Sequence, residues 1–328
     1  MPSINVAILG FGIVGEGIYK ILNERSKAIE KGTGYTINVV SILVRDTTKT
    51  RQSTPGTKIT GDIQEILSDS SIDVVFEAIV GEEPAYAYLS EAIEKGCHVI
   101  TANKAMFATH GPALLKHAEF RGVNLGYEAT TAGGVPIIRT ITGLLPTDRI
   151  RRIRGVLNGT SNFILTKMRN EGIPFKKALH EAQELGYAEA DPTDDISGKD
   201  AFRKLMILSA LAFGGQPKWE DVAVIGIDGI TVEDVTDASK GKLRYRHIAD
   251  IYCDENGVRH GGVGPVLIGP DHPLYSVDGV DNAIIVDTDH LGALTLIGPG
   301  AGMYPTASAM VGDFLQIIGK RETALVSN

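Results

Sequence analysis

The stretch from residue 4 to residue 15 constrains the fold of this chain more than any other. Residues 4–9 form a short apolar run that leads directly into a GxGxxG turn, after which apolar residues recur at helical spacing. In this setting the first glycine permits a tight turn, the second lets the backbone approach a pyrophosphate, and the third lets the helix pack on the strand. The amino end of the helix then faces the phosphates. We therefore predict a dinucleotide site that includes Gly10, Gly12, Ile13, Val14 and Gly15; the alternative is a glycine-rich turn without a ligand.

Strand-like and helical segments alternate through the rest of the first half of the chain. The strand-like runs lie at residues 37–44, 73–76, 97–101 and 123–127, with helical segments that include residues 84–95 and 111–121. Such alternation is typical of a parallel sheet with crossover helices, whose ligands bind off the carboxyl ends of the strands. Lys104 follows one of these strands, so we predict that it lies in the site; the alternative is an exposed loop lysine.

The end of the second strand, at Arg45 and Asp46, bears on the choice of dinucleotide. An acidic residue at this position favours the ribose 2′-hydroxyl of NAD, whereas an arginine accommodates the 2′-phosphate of NADP. Arg45 comes first, and Lys49 and Arg51 follow. We predict NADP, with NAD as the alternative cofactor and a solvated charge cluster as the alternative interpretation.

In the second half, residues 186–204 carry five carboxylates and then Lys204, which opens an apolar helix. A lysine at such a position is costly unless its charge has a partner or a task. Asp200 lies four residues before Lys204, so the two side chains share a helix face, and Glu189 lies in the loop before them. We predict a pocket that binds a small zwitterion and moves one proton. The alternative for Asp200 is a capping box that begins at Ser197.

Three further features define the organisation of the chain. Residues 158–162 introduce a helix, and their asparagine, threonine and serine side chains are candidates to cap it. The backbone amides at the helix start are candidates to hold a carboxylate, and the two roles are compatible. Residues 146–154 are charged and predict a crossing between domains, and residues 243–248 and 263–268 predict strands of a mostly antiparallel sheet. A glycine-rich loop then leads into a helix, with Pro305 near its start, that returns to the first domain.

These patterns predict an α/β protein with a Rossmann-type dinucleotide-binding domain and an α+β substrate and dimerisation domain with a mostly antiparallel sheet. We assign residues 1–135 with 305–328 to the first domain and residues 136–304 to the second.

Composition excludes several classes of function. The formal net charge of -8 argues against a nucleic-acid surface. Two cysteines give neither a disulfide framework nor zinc spacing, and no apolar run approaches the roughly 20 residues of a membrane helix. We expect a cytoplasmic protein that acts on a small molecule.

At this point the chain resembles homoserine dehydrogenases. The motifs that carry the resemblance are Gly10 to Gly15, Thr101 to Ala105, Tyr127 to Pro136, Asn158 to Thr160, Glu184 to Lys204, and Gly300 to Ala309. They span nearly the whole chain and are together far more specific than the glycine turn alone.

The resemblance implies NAD(P)-dependent interconversion of L-homoserine and L-aspartate 4-semialdehyde, in threonine and methionine biosynthesis, by a homodimer. It implies that Lys204 is the catalytic acid–base residue with Lys104 assisting, and that Glu189 binds the substrate ammonium while Asp200 lies beside the reacting hydroxyl. The remaining residues implied for the substrate are Asp195, Gly159, Thr160 and Tyr187; for the cofactor, Gly186 and Gly302; and for a sodium ion, backbone oxygens of Glu128, Thr131, Gly133 and Val135.

Two residues depart from the family pattern: Thr131 replaces a more usual apolar residue, and Val80 precedes Gly81 where relatives often have a glycine pair. The carboxyl-terminal ACT-type module of many relatives is also missing from this sequence, so we do not expect feedback control through it. The alternatives are another NAD(P)-dependent amino-acid or semialdehyde dehydrogenase, and a protein that senses the dinucleotide without catalysis.

Overall fold

The structure, a computed structural model, describes residues 1–51 and 54–325. The chain divides into two compact units, one formed by Met1–Gly134 with the chain from Gly302 onward and the other by Val135–Ala301. The end of the first predicted domain, residues 326–328, lies outside the described residues. Within the described ranges, no helix combines the length and apolar character that a membrane crossing needs.

The first unit is built on a six-stranded sheet whose pairings are all parallel. Its strands are β1 (Ser3–Leu9), β2 (Thr36–Leu43), β3 (Lys58–Thr60), β4 (Val74–Glu77), β5 (His98–Thr101) and β6 (Leu125–Gly126). The spatial order is β3-β2-β1-β4-β5-β6. Apolar residues of the central strands are buried on both faces, as a parallel sheet covered by helices requires. The order of the sheet confirms the predicted Rossmann-type fold.

The helices of this unit are α1 (Ile13–Glu24), α2 (Ser26–Thr33), α3 (Gln64–Leu67), α4 (Ala85–Glu94) and α5 (Lys104–Arg121). The last of these corrects the prediction of a helix over residues 111–121. Gly111 and Pro112 resemble a helix start in the sequence, but Asn103 already caps α5 by accepting a hydrogen bond from the Met106 amide at 3.0 Å. Lys104 is therefore the first residue of a helix and not part of a loop.

The second unit also contains a six-stranded sheet, and its prediction as mostly antiparallel is confirmed. Its strands are β7 (Ile150–Val156), β8 (Ala223–Val224), β9 (Arg244–Cys253), β10 (Arg259–Ile268), β11 (Asp281–Thr288) and β12 (Ala293–Pro299). They lie in the order β12-β11-β7-β9-β10-β8, and only the short β8 pairs in parallel. The helices are α6 (Ile137–Leu144), α7 (Gly159–Glu171), α8 (Phe175–Glu184), α9 (Thr193–Ile196), α10 (Lys199–Phe213) and α11 (Val232–Lys240).

Residues 146–154 do not cross between domains, because most of them form the central strand β7 of the second sheet. Two of the four arginines that suggested an exposed crossing make ion pairs with neighbouring strands. Arg152 Nε donates to Asp250 Oδ1 at 2.7 Å, and Arg154 pairs with Asp287 at 2.8 Å. These charged residues thus belong to a strand of the sheet, which begins at Ile150, before Arg154.

The chain ends in the described structure with α12 (Met303–Leu325), which belongs to the first unit. It packs against α1, where a β-carbon at Gly17 would come within 2.8 Å of Met303 Cγ, so glycine allows the two helices to approach closely. Further along α12, Phe314 packs against Phe76 of β4 with 5.5 Å between ring centroids.

Candidate functional site

The glycine turn after β1 has the geometry that its sequence predicts. Gly10 has a φ of +94°, and a β-carbon there would lie 2.6 Å from the Ala78 carbonyl oxygen. A β-carbon at Gly15 would lie 2.0 Å from the Gly10 carbonyl oxygen. Gly12 differs, since nothing lies within 4 Å of its β-carbon position. Packing therefore requires the first and third glycines, whereas the second leaves open space at the amino end of α1.

The turn lies at the point where the strand order of the parallel sheet reverses, between β1 and β4. The loop after β4 meets the turn at Ala78, and apolar side chains on both segments face solvent: Ile13 is 69% exposed and Val80 is 85% exposed. Open parallel sheets bind ligands in the crevice at this position. The exposed apolar side chains and the space at Gly12 thus fit a dinucleotide.

At the end of β2 the two charged residues have different environments. Asp46 accepts hydrogen bonds from the Thr48 hydroxyl at 2.6 Å and the Thr48 amide at 2.9 Å, and these bonds hold the pKa of Asp46 below its usual value. Arg51 donates to the backbone carbonyls of Asp46 and Lys49. The Arg45 side chain is exposed to solvent.

Glu77 ends β4 as a fully buried carboxylate. It accepts hydrogen bonds from the Ile79 amide at 2.6 Å and the Thr101 hydroxyl at 2.5 Å. Burial nevertheless dominates and raises the pKa of Glu77 from 4.5 to about 7. Asn103 donates to the carbonyls of Ile79 and Gly81, so these contacts tie the loop after β4 to the start of α5, where Lys104 is half-buried. Glu77 was absent from the predicted site, although a carboxylate at the end of an apolar strand was a signal that could have suggested it.

Of the residues predicted to hold sodium, Glu128, Thr131 and Gly133 lie after β6 in a tight turn of the first unit. Glu128 is buried, and its amide donates to Asp313 Oδ2 of α12 at 2.8 Å. The Thr131 hydroxyl donates to the Glu128 carbonyl at 3.4 Å, and Gly133 has a φ of +53°. Val135 is buried in the second unit.

In the second unit the structure brings Asp200 and Lys204 together as predicted. Lys204 Nζ lies 2.8 Å from Asp200 Oδ2, and the side chains are only 8% and 3% exposed. The alternative of a capping box is wrong, because α10 is capped by Gly198 in a left-handed conformation, with no side-chain capping bond. Lys204 Nζ also donates to the Leu157 carbonyl at 2.7 Å, so a carboxylate and a backbone oxygen both stabilise its positive charge.

Asn158 links this ion pair to a second carboxylate. Its Nδ2 donates to Asp195 Oδ1 at 2.7 Å and to Asp200 Oδ2 at 3.0 Å, while its Oδ1 accepts from the Ser161 amide at 2.7 Å. The predicted capping of α7 is confirmed. An amide has two donors and an acceptor, so asparagine can cap a helix and donate to two carboxylates at once, whereas serine has one donor and an ionised aspartate has none. This difference was the signal for Asn158 that the sequence contained.

The other residues predicted to bind substrate form a second group. The Thr160 hydroxyl donates to the Tyr187 carbonyl at 2.7 Å, and the Tyr187 ring packs near Phe163 with 5.1 Å between centroids. A β-carbon at Gly159 would lie 2.6 Å from the Val280 carbonyl oxygen, so the backbone approaches closely there.

Glu189 and the remaining predicted glycines lie in loops. The Glu189 side chain is exposed, and its backbone carbonyl accepts a hydrogen bond from Gln183 at 3.2 Å. Gly186 follows α8 with a φ of +74°, and Gly302 precedes α12 with a φ of +117°.

Comparison with known proteins gives matches to one family. A family model described as homoserine dehydrogenase matches residues 136–315, and a model described as homoserine dehydrogenase, NAD binding domain, matches residues 10–128. Homoserine dehydrogenase of Bacillus subtilis is 38% identical over 329 residues, which is 100% of this chain and 76% of the relative.

Solved structures agree. A homoserine dehydrogenase from Thiobacillus denitrificans has a TM-score of 0.93 at 40% identity, covering 98% of this chain and 74% of that protein. A hyperthermophilic archaeal homoserine dehydrogenase, solved in complex with NADPH, has a TM-score of 0.83 at 29% identity, covering 97% of this chain and 98% of that protein.

Proposed function

We infer that this chain, which belongs to the homoserine dehydrogenase family and interconverts L-homoserine and L-aspartate 4-semialdehyde with a nicotinamide dinucleotide, uses Lys204 to transfer the proton in that reaction. The resemblance that the sequence motifs indicate is thereby confirmed. The family assignment also places the enzyme among the oxidoreductases of amino-acid biosynthesis that act on a CH–OH group.

The chemistry explains why a buried lysine suits this role. Reduction of the aldehyde places a hydride, supplied by the nicotinamide, on the carbonyl carbon, and the oxygen must then gain a proton. An ammonium group donates that proton directly, and the amine accepts it in the reverse direction. The observation that carries the proposal is the buried ion pair at 2.8 Å between Lys204 and Asp200, because it holds the ammonium in one place.

We propose Lys104 as a second, assisting lysine. The position of Lys104 supports this role. Lys104 begins α5 directly beyond β5, at the edge of the parallel sheet where a cofactor binds. Its half-buried position fits a residue that contacts a bound molecule.

For the substrate, we propose that Asp200 lies beside the reacting hydroxyl and that Glu189 binds the ammonium group. Asp195 is included because the Asn158 side-chain amide donates hydrogen bonds to both Asp195 and Asp200. We assign Gly159, Thr160 and Tyr187 to the same substrate, supported by the hydrogen bond that joins Thr160 to Tyr187.

For the cofactor, we propose NADP, held by Gly10, Gly12, Ile13, Val14 and Gly15, with Gly186 and Gly302 contacting it. Two observations support NADP over NAD: the Arg45 side chain is exposed, and the Asp46 carboxylate is already engaged by Thr48. The NADPH complex of the archaeal relative is in line with this choice.

We further propose a sodium ion held by backbone oxygens of Glu128, Thr131, Gly133 and Val135. Hard cations prefer oxygen ligands, and these four residues supply backbone carbonyls from one short stretch of the chain. Dialysis against potassium in place of sodium tests this, since a sodium site predicts a lower thermal stability that sodium alone restores.

We propose a cytoplasmic homodimer formed through the sheet of the second unit. Exposed apolar residues on that sheet, including Tyr252, Val266 and Ile297, support an interface there, and the free Cys97 and Cys253 fit a reducing compartment. Analytical ultracentrifugation tests the dimer directly.

The proposed roles are tested together by steady-state kinetics with aspartate semialdehyde, using NADPH and then NADH. Lys204→Ala is expected to lose most of its turnover, whereas Glu189→Leu is expected to raise the KM for the amino-acid substrate. Normal turnover by Lys204→Ala would remove the proposed acid, and unchanged kinetics of Glu189→Leu would remove the proposed ammonium contact.

A further inference from the structure

One buried side chain outside the predicted site shares a hydrogen-bond acceptor with Lys204. The Leu157 carbonyl accepts from Lys204 Nζ at 2.7 Å and from Asn282 Nδ2 at 3.0 Å. A carbonyl oxygen has two lone pairs, so the two donors hold this carbonyl from two sides.

The position of Asn282 follows from the sheet. Ala283 of β11 pairs with Val156 of β7, so Asn282 lies opposite Leu157 just beyond the last pair, where strand pairing no longer supplies a donor. The side-chain amide takes over that task. Since a carbonyl only accepts, Nδ2 must face Leu157, and Oδ1 points the other way.

The Asn282 side chain is buried and closely packed. A β-carbon at Gly300 would lie 2.1 Å from Asn282 Cγ, so only glycine fits against the amide. Asn282 is 1% exposed, and its Oδ1 has no hydrogen-bond partner in the part of the chain that the structure describes. Among the described residues, this buried amide therefore makes its hydrogen bond through Nδ2, to the Leu157 carbonyl.

We infer that Asn282 is a positioning residue for Lys204, acting through the Leu157 carbonyl; the inference rests on the proposed role of Lys204 in proton transfer. Asn282 fixes the direction of that carbonyl, and Asn158 fixes the Asp200 carboxylate, which is the second acceptor of the ammonium. Two amides thus hold the two acceptors that orient one lysine.

The inference predicts a direction for the pH dependence. The Asn282 N–H draws electron density from the carbonyl, so its loss strengthens the attraction between Leu157 and the ammonium form of Lys204. In the direction of homoserine oxidation, which needs the amine, the limb of kcat that rises with pH then moves to higher pH. Asn282→Leu removes the donor at similar volume, and Asn282→Asp adds a negative charge and is expected to move the limb further.

The Asn282 variants leave the other titratable residues near this lysine unsubstituted. They are Asp200 on the same helix, Asp195 of α9, which Asn158 ties to Asp200, and His247 of β9, which interacts electrostatically with Asp200.

Asn162 offers a matched control. It is equally buried, its Nδ2 donates to the carbonyls of Val277 and Asp281, and its Oδ1 also has no partner among the described residues. Asn162→Leu therefore carries a similar structural change without touching the Leu157 carbonyl.

The experiment measures kcat and KM for homoserine oxidation against pH in wild type, Asn282→Leu, Asn282→Asp, Asn162→Leu and Lys204→Ala. We expect both Asn282 variants to lose between about tenfold and a hundredfold in kcat, with the displaced limb and little change in cofactor KM. Asn162→Leu is expected to keep the wild-type limb.

If Lys204→Ala loses turnover while the Asn282 variants keep the wild-type limb, the positioning role is overturned and the proton-transfer role stands. Normal turnover by Lys204→Ala would instead remove the proposed proton-transfer role of Lys204, on which the inference rests. An equal displacement in Asn162→Leu also overturns the inference, since the effect is then structural. Should Asn282→Leu fail to fold, Asn282→Ser carries the same prediction, and a wild-type limb in that variant overturns the inference.

Discussion

The Lys204 ammonium lies 2.8 Å from the Asp200 carboxylate, and both side chains are almost fully buried. Taking two opposite charges out of water is costly, so such a pair is a poor source of net stability. Its value lies in holding the ammonium in a fixed direction, and the additional bonds from Asn158 to Asp200 and from Lys204 to Leu157 complete that arrangement.

The pair predicts a large effect for Asp200→Asn. The substitution keeps the shape of the side chain but removes the charge that compensates the buried ammonium, and we expect a loss of about 3 kcal/mol in the free energy of unfolding together with a strong fall in kcat. Urea denaturation and steady-state kinetics measure the two effects.

The pair between Asp237 and Lys240 is the matched control, because both side chains are more than 70% exposed. Asp237→Asn is expected to change the free energy of unfolding by less than about 1 kcal/mol, since exposed ion pairs contribute little. Similar losses in the two variants would show that burial does not decide the strength of the Asp200 effect.

Glu77 predicts a dependence of stability on pH. Its pKa is about 7 in the folded protein against 4.5 ordinarily, so the folded state binds more protons between these values. The stability contributed by the neutral carboxyl is fully present below pH 4.5 and is lost as the pH rises through about 7. The full difference amounts to about 3 kcal/mol.

Glu77→Gln removes this titration while keeping an oxygen to accept from the Ile79 amide. We expect the variant to match wild type below pH 4.5, to become relatively more stable as the pH rises from 4.5 to about 7, and to keep that advantage at higher pH. Urea denaturation of both proteins across this range measures the difference, and parallel stability profiles would contradict the raised pKa.

The spacing of a capping box occurs at the starts of α10 and α11, but only α11 forms one. Thr231 and Asp234 form a true capping box at the start of α11, whereas Ser197 and Asp200 have the same spacing and do not. Gly198 adopts a left-handed conformation that moves the cap by one residue, and Lys204 and Asn158 bind the Asp200 carboxylate instead. The tertiary contacts decide between the two outcomes, and a local pattern does not contain them.

The same distinction separates what the sequence predicts about the site from what it misses. The glycine turn and the spacing of Asp200 and Lys204 are local, and both are predictable. The Leu157 carbonyl is a backbone group without a residue signature, and Asn282 reaches it only because β11 pairs with β7. Residues 283–286 are buried without alternation, so the strand that carries Asn282 lacks the period of two that marks a half-exposed strand.

Arg45 predicts the cofactor preference. If its exposed guanidinium contacts a 2′-phosphate, Arg45→Ala raises the KM for NADPH at least about tenfold and leaves the KM for NADH nearly unchanged, because charge-assisted contacts to phosphate are strong. Lys27→Ala, an exposed cation on α2, controls for the loss of one surface charge. Equal increases in both KM values would remove the 2′-phosphate contact.

Two glycines of the turn, only two residues apart, predict different effects when each is replaced by alanine. Gly12 has open space around its β-carbon position, so the free energy of unfolding of Gly12→Ala is expected to lie within about 0.5 kcal/mol of the wild-type value. The KM for NADPH is expected to rise, because the added methyl group occupies the space proposed for the pyrophosphate. Gly10 has a φ of +94° and would place its β-carbon 2.6 Å from the Ala78 carbonyl, so Gly10→Ala is expected to lose more than about 1 kcal/mol in stability. Urea denaturation and NADPH kinetics on both variants check this. A Gly12→Ala enzyme with normal NADPH kinetics would mean that the dinucleotide does not approach the backbone at this glycine.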